Sequence, residues 1–277
     1  MLERLPQTTV AAPKLRIENV ALRFTPKHGA PVIALENISL DIRDKEFTVI
    51  VGPSGCGKTS LLRLVAGLIE PTDGAIWLDD VRVTGPGRDR GMVFQSYTLF
   101  PWLTVQKNVE FGLKLRGTPP NERRDIARRF IAQVGLEGFE HHYPKQLSGG
   151  MMQRIALARA LANDPAVLLM DEPFGALDSQ TRSLMQELLL DIWQQSSKTV
   201  LFITHDIDES ILLGDRVYVM TARPGRIKEM VEIDLPRTRA VDVLTSEAFM
   251  NLKRRIMRSI HEEAVRSFAS DAAGTAG

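Results

Sequence analysis

One cysteine, Cys56, is the whole thiol inventory of the chain, so no internal disulfide can staple the fold. Long apolar runs are missing as well. The longest, such as 167–170 (VLLM) and 200–203 (VLFI), fall far short of the roughly 18 residues a membrane helix needs, so any membrane role must come through a partner. Charge of one sign is absent: 35 Lys and Arg face 34 Asp and Glu, a formal net charge of +1. No overall field therefore favours nucleic acid or an anionic membrane, although local patches stay open. Residues Met1 to Val10 lack the apolar core of a signal peptide, and the cytoplasm is the expected compartment. What remains is ordinary globular material, 277 residues with 44% hydrophobic and 25% charged, enough for one large domain or two modest ones.

Apolar spacing gives the organisation. Leu15 and Ile17 alternate, then Val20, Leu22 and Phe24 alternate one register later, which predicts a strand with a bulge near Glu18 and Asn19. Ile38, Leu40 and Ile42 repeat the period of two, and these half-buried strands read as an antiparallel N-terminal β subdomain. Residues 47–51 (FTVIV) instead read as a strand covered on both faces, with further buried strands at 167–170, 199–204 and 216–220. Helices are expected at 59–66, 151–162 and 181–195, so the class is α/β with a mostly parallel sheet.

Between about 96 and 162 the pattern turns to helices and loops, an inserted helical subdomain. Ile126, Phe130 and Val134 are spaced four apart after the Pro119–Pro120 break, and Arg123, Arg124, Arg128 and Arg129 read as the wet face of that helix rather than a nucleic-acid patch. The expected division is 14–246 for the main domain and 247–277 for a C-terminal amphipathic helix and tail. Phe249, Leu252, Ile256, Ile260 and Phe268 mark the helix, and residues after Ser270 are expected to be disordered. Charges of both signs on this helix suggest packing on the body rather than on a membrane.

The chemistry begins directly after the buried strand, at "GPSGCGKTS": Gly52, Pro53, Ser54, Gly55, Cys56, Gly57, Lys58, Thr59 and Ser60. This fits G-x-x-x-x-G-K-[ST] in its required context, strand before and helix after. Glycines let backbone N–H groups turn inward around phosphate oxygens, Lys58 reaches the terminal phosphates, Thr59 offers a hydroxyl to Mg²⁺, and the helix presents its positive end. Cys56 reads as a small tolerated residue rather than a redox switch. Such a cradle needs a carboxylate to hold the metal through water and a group to position the attacking water. "VLLMDEP" supplies candidates for both, Asp171 for the metal and Glu172 for the general base.

"QLSGGMMQR" places Ser148, Gly149 and Gly150 at the mouth of a helix, where glycine pairs are costly unless a backbone must come close to something. They read as a second anion-binding helix mouth. One cradle already serves the phosphates, so a second is useful if it covers the nucleotide of another copy, and a homodimer formed on ATP binding follows.

With these motifs in order, the chain resembles the ATP-binding subunits of ABC transporters over roughly residues 14 to 235. The P-loop, the signature Leu147, Ser148, Gly149, Gly150 and Met151, the Asp171-Glu172 strand end, "GALD" with Asp178, "FITHD" with His205 and "VFQ" with Gln95 all find counterparts. The resemblance implies a P-loop NTPase core of ABC type. It implies that Gln95 senses Mg²⁺ and the membrane partner, His205 contacts the γ-phosphate, Asp178 links two sites, and Phe24 stacks on adenine, where the family more often has tyrosine. Met151 departs from the commoner glutamine and Gly175 from serine; neither position supplies an essential charge.

Tyr97, Leu99, Phe100, Trp102 and Val105 lie where the family receives a short helix from the membrane subunit, and a satellite core under the subdomain is the rival reading. "GPGRDRGMVFQ", "LFPWLTVQKNVEFGL", "DEPFGALDSQTR" and "YVMTARPGRI" further resemble importers of nitrate, sulfonates and taurine. That likeness implies ATP hydrolysis powering import of a small anionic solute through two separate membrane-spanning permease subunits. It also implies an extracytoplasmic solute-binding protein as an indirect partner, a peripheral place on the cytoplasmic membrane face, and no nucleic-acid partner. The alternatives are a soluble ABC-type ATPase acting on protein, ribosome or nucleic-acid complexes and a regulatory binder that no longer hydrolyses ATP. The first usually carries a long coiled coil or a second cassette, and the second has no use for Glu172 and His205. The C-terminal segment reads as packing, with regulation as the other possibility.

Overall fold

The computed structural model describes residues 12–26, 29–237, 239 and 241–274. The chain runs through β1 (Leu15–Phe24), β2 (Val32–Ile42), β3 (Phe47–Val51), α1 (Lys58–Val65), β4 (Asp73–Leu78), β5 (Val81–Arg82) and β6 (Arg90–Val93). Helices α2 (Val105–Leu115) and α3 (Pro120–Gln133), a 3₁₀ turn (Pro144–Gln146) and α4 (Gly149–Ala162) follow. Then come β7 (Val167–Asp171), α5 (Ser179–Ser196), β8 (Thr199–Ile203), α6 (Ile207–Leu213), β9 (Arg216–Met220), β10 (Ile227–Glu232), a 3₁₀ turn (Val241–Thr245) and α7 (Glu247–Gly274).

Two sheets result. The first is four-stranded and antiparallel in the order β2-β1-β4-β5, and the second is six-stranded in the order β10-β9-β3-β8-β7-β6. Strands β9, β3, β8, β7 and β6 are parallel, and only the edge strand β10 runs against its neighbour. The expected bulge in β1 is present: pairing with β2 shifts between Ile17 and Val20, and Asn19 takes φ 50°.

Every residue of β3, β7, β8 and β9 is buried, because both faces of the sheet are covered. Successive side chains point to opposite faces, so each strand serves two cores. Val49, Leu168, Met170, Val200 and Phe202 pack with the helical side, whereas Ile50, Leu169, Leu201 and Ile203 pack with α1 and the antiparallel sheet. Each such side chain stabilises the fold by about 1.5–3 kcal/mol.

In the helical subdomain, Pro120 starts α3 at a position where a missing N–H costs nothing. The fully buried stripe of α3 is Ala127 and Ile131, continued by Val134, while Ile126 and Phe130 are only partly covered. The face is thus rotated by one residue from the spacing read in the sequence, since a short alanine lets the helix sit close. Arg124, Arg128 and Arg129 are exposed as expected; Arg123 instead donates through Nε to the buried Glu110 at 3.0 Å. That contact and a bond from Gln106 hold the Glu110 carboxyl below the usual range despite its burial.

Helix α7 packs through Phe249 and Ile256 against the body and ties itself to β10 and α6 by Lys228–Glu262 and Lys253–Asp208 ion pairs. It continues to Gly274, past Ser270, while residues 275–277 and the side chain of Phe268 lie outside the described residues. So do residues 1–11.

The two sheets are joined by a buried charge. Arg216 on β9 donates to Glu46 at 2.6 Å and to the Asp41 carbonyl at 2.8 Å, with both side chains of the Arg216–Glu46 pair almost inaccessible. Removing one partner of a buried pair strands the other charge. Glu46→Ala should therefore lower unfolding stability by about 3 kcal/mol. Urea denaturation reads this, and a loss below about 1 kcal/mol, the range of exposed pairs, would contradict it.

Candidate functional site

Each parallel strand ends at the same edge of the sheet, and each releases one piece of the site there. β3 leads into Gly52–Lys58 and α1. The turn requires glycine at 57, where φ is 103° and a Cβ would stand 2.6 Å from Leu35 Cδ2. Lys58 is 5% exposed, and its ammonium donates to the carbonyls of Gly52 at 2.9 Å and Pro53 at 3.1 Å. The lysine thus rests folded over its own loop, with those contacts ready to be exchanged for anionic oxygens. Cys56 is buried beneath it, and burial pushes the thiol's pKa up, which leaves it unreactive.

β7 ends in Asp171 and Glu172. Thr59 donates its hydroxyl to Asp171 Oδ1 at 2.9 Å. Burial raises the pKa of Asp171, the Thr59 hydroxyl opposes the rise, and the Glu172 charge adds to it. Glu172 takes φ 42°, in the left-handed region that costs a non-glycine residue of order 1 kcal/mol or more. Its N–H donates to the Ile203 carbonyl at 2.9 Å and its own carbonyl accepts from Gly175 at 3.1 Å. β8 leads to His205, whose Nδ1 lies 2.9 Å from Glu172 Oε2. With Nδ1 as the donor in this contact, Nε2 is the ring nitrogen left for another partner. β6 leads to the exposed Gln95.

A cleft of about 430 Å³ collects these groups: Phe24, Ser54, Gly55, Gly57, Lys58, Thr59, Ser60, Gln95 and Glu172 line it, together with Val32, Ala34 and Arg223. Phe24 is 49% exposed at the end of β1, a large ring left at the rim. Arg223 follows β9 and donates through Nε to the Gly55 carbonyl at 3.0 Å. Sequence reasoning missed Arg223, Val32 and Ala34; the only signal for the arginine was its place in "TARPGRI", just after a buried strand. Among the described residues no group of three His, Cys, Asp or Glu forms a metal cage. The hydroxyl of Thr59, the amide of Gln95 and the carboxylate of Asp171 are hard oxygen donors of the kind that suits a magnesium ion carried by phosphates.

The second helix mouth stands apart. Ser148 caps α4 by accepting from the Met151 N–H at 3.3 Å, and none of Leu147, Ser148, Gly149, Gly150 or Met151 lines the cleft. Its glycines have a reason inside the chain that the sequence did not reveal. A Cβ on Gly149 would stand 2.6 Å from the Tyr97 hydroxyl, and one on Gly150 2.7 Å from Thr181 Cγ2. Asp178 caps α5, accepting from the Thr181 N–H at 3.0 Å and the Thr181 hydroxyl at 2.7 Å, and these bonds hold its carboxyl below the usual range.

Near the helical subdomain the aromatic stretch divides. Val105 is fully buried and Leu99 packs on the core, but Trp102 is 71% exposed and Leu115 74%. Phe100 packs against Phe111 with centroids 4.4 Å apart and the rings tilted by 43°, and both line a groove of about 410 Å³ with Leu115 and Arg159.

Comparison with known proteins agrees with this arrangement. The family described as ABC transporter matches residues 35–175. An uncharacterized ABC transporter ATP-binding protein of Methanocaldococcus jannaschii is 56% identical over 92% of this chain and 94% of its own length. The nitrate import ATP-binding protein of Synechocystis sp. is 55% identical over 80% of this chain and 83% of its own. Among solved structures, the dimeric post-hydrolysis state of an ATP-binding cassette bound to ADP and Pi superposes with a TM-score of 0.70. It shares 34% identity over 80% of this chain and 100% of that one.

The raised pKa of Asp171 carries a stability consequence. A carboxyl whose folded pKa exceeds its unfolded one disfavours folding once pH rises through that interval. Asp171→Asn keeps the acceptor for Thr59 and removes the charge, so it should raise the Tm of the nucleotide-free protein at pH 7. Calorimetry at pH 7 and pH 4 tests this: the gain shrinks at the lower pH, and a lower Tm for the variant at pH 7 would refute it.

Proposed function

Because the chain belongs to the ABC transporter family of ATP-binding proteins, we propose that it is the ATP-hydrolysing subunit that powers import of a small anionic solute. The solute is of the nitrate, sulfonate or taurine type and passes through separate membrane subunits. The observation that carries the reading is the convergence of the cradle, Gln95 and Glu172 on one cleft, with Asp171 bonded to Thr59 and His205 to Glu172. ATP lies with its phosphates in the loop Gly52, Pro53, Ser54, Gly55, Cys56, Gly57, Lys58, Thr59 and Ser60. Its base rests on the Phe24 ring, and Lys58 exchanges its carbonyl contacts for the terminal phosphates. Thr59 and Gln95, with Asp171 acting through water, would hold the Mg²⁺ that neutralises charge on the phosphates.

Glu172 draws the proton from the attacking water. His205 holds it in place through the 2.9 Å Nδ1 contact and turns Nε2 towards the γ-phosphate. Two copies meet so that Ser148, Gly149 and Gly150 of one, at the positive end of α4, cover the phosphates held by the other. The separation of that helix mouth from the cleft within one chain supports this arrangement, and Asp178 at the head of α5 links the two sites. ATP binding closes the homodimer, and hydrolysis removes the shared ligand and lets it reopen.

The groove lined by Phe100, Phe111 and Leu115, with exposed Trp102 against Phe100 beside it, suits a short apolar helix from each of two permease subunits. Among the described residues no helix is long and apolar enough to cross a membrane. The subunit would work on the cytoplasmic face, with an extracytoplasmic solute-binding protein choosing the cargo. A role on DNA is disfavoured, since the longest helix between the P-loop and α4 has only 14 residues.

Glu172→Gln should leave ATP affinity intact and lower turnover by roughly 10²–10⁴, the share of general-base catalysis; turnover near wild type would remove Glu172 from that role. Lys58→Ala should weaken ATP binding in calorimetry, and unchanged affinity would refute the cradle. For the transport reading, tagged protein solubilised with native membranes in mild detergent should bring down a polytopic protein in stoichiometric amount. Recovery with soluble partners alone would move the case to a soluble ATPase.

A further inference from the structure

Behind the Glu172–His205 pair lies a carboxyl that the mechanism above does not use. Glu209 on α6 is 4% exposed. Its Oε1 accepts from Gln186 Nε2 on α5 at 2.9 Å, and the Thr204 hydroxyl donates to the same carboxyl while accepting from the Asp206 N–H at 3.0 Å. A cavity of about 10 Å³ separates it from the catalytic pair, lined by Glu172, Gly175, Arg182, His205 and Glu209. That is about the room one water needs, and the lining supplies acceptors and donors for it. Two carboxyls thus face one water-sized space, one beside the reacting phosphate and one sealed from solvent.

We propose that Glu209 is the proton store of the hydrolysis reaction, taking through a water in this cavity the proton that Glu172 removes from the nucleophile. The step balances. The attacking water's oxygen bonds to the γ-phosphorus as the bond to the β–γ bridging oxygen breaks, and ADP leaves with that electron pair. One proton passes from the nucleophile to Glu172, from Glu172 to the cavity water, and from that water to the Glu209 carboxylate. Glu172 is reset as a carboxylate while Glu209 ends protonated, to lose its proton when the site reopens. Glu209 touches no reacting atom and acts through Glu172, so it is a positioning residue in the wider sense, and the inference rests on the proposed base role of Glu172.

The charged surroundings suit a store. Burial raises the Glu209 pKa, the Thr204 and Gln186 donors partly oppose this, Asp206 adds to it and Arg182 lowers it. Arg182 on α5 faces Asp206 at 3.6 Å. Glu172 and His205 face the group across the cavity, and on the far side Asp208 of α6 is paired with Lys253 of α7. A carboxyl with a raised pKa is a better proton acceptor than an exposed one, and it accepts only while ionised, so kcat falls as pH drops through its pKa.

Glu209→Gln separates storage from shape, because glutamine has the same size and keeps one acceptor oxygen for Gln186 while it cannot take up the proton. We expect kcat about 10-fold lower with KM for ATP unchanged, and the acid limb set by Glu209 gone from the pH profile of kcat. Gln186→Leu, which keeps Glu209 but removes a donor to its ionised form, should move that limb to higher pH. Wild-type kcat and acid limb in Glu209→Gln would overturn the proposal, as would a Gln186→Leu profile that loses rate without moving its limb. Should Glu209→Gln fail to fold, the Gln186→Leu limb decides alone. Near-normal turnover in Glu172→Gln would instead sink the base reading itself, whereas a crippled Glu172→Gln beside an untouched Glu209→Gln sinks only the store.

Discussion

Four adjacent parallel strands buried on every residue, β9, β3, β8 and β7, are the constraint on which the rest depends. Parallel pairing puts all their carboxyl ends at one edge, the place where open α/β sheets bind ligands. The cradle, Asp171 and Glu172, His205 and Arg223 come from four different stretches of sequence and still meet, because the sheet holds their starting points one strand apart. β6 adds Gln95 at the same edge. A slip of one residue in any of these strands would exchange the two cores and turn the site residue away.

The site stores a little strain on that rigid base. Glu172 keeps a left-handed backbone because the Ile203 carbonyl and the Gly175 N–H bind it from both sides. Burial disfavours the ionised form of Asp171, and Lys58 donates to the carbonyls of its own loop. These are features of a surface made for a charged ligand. On the opposite side, Arg216 binds both Glu46 and the Asp41 carbonyl of β2, which ties the antiparallel sheet to the parallel one.

Much of this was legible in the sequence. The runs at 47–51, 167–170 and 199–203, apolar but for Thr48 and Thr199, can hardly be anything but covered strands, and the cradle, the acidic pair and His205 sit at their ends. The bulge at Asn19 followed from a change of register. The face of α3 was misjudged by one residue because an alanine, weak as a hydrophobic signal, is what lies deepest. The glycines at 149 and 150 were read as room for phosphate, and spacing along the chain had no means of showing Tyr97 and Thr181 against them. Arg223 escaped for a similar reason: its partner, the Gly55 carbonyl, is 168 residues away. Polar contacts between distant loops leave no periodic trace.

One chain presents a cradle and, elsewhere on its surface, the helix mouth that would close a cradle. The most direct test mixes two disabled forms, Lys58→Ala with its helix mouth intact and Ser148→Arg with its cradle intact, and measures ATP hydrolysis of the mixture, with the permease partners if the pure chain is slow. If sites are built from two copies, mixed dimers contain one complete site and activity rises well above that of either variant alone. Activity no greater than the average of the two would contradict a shared site and return catalysis to the single chain.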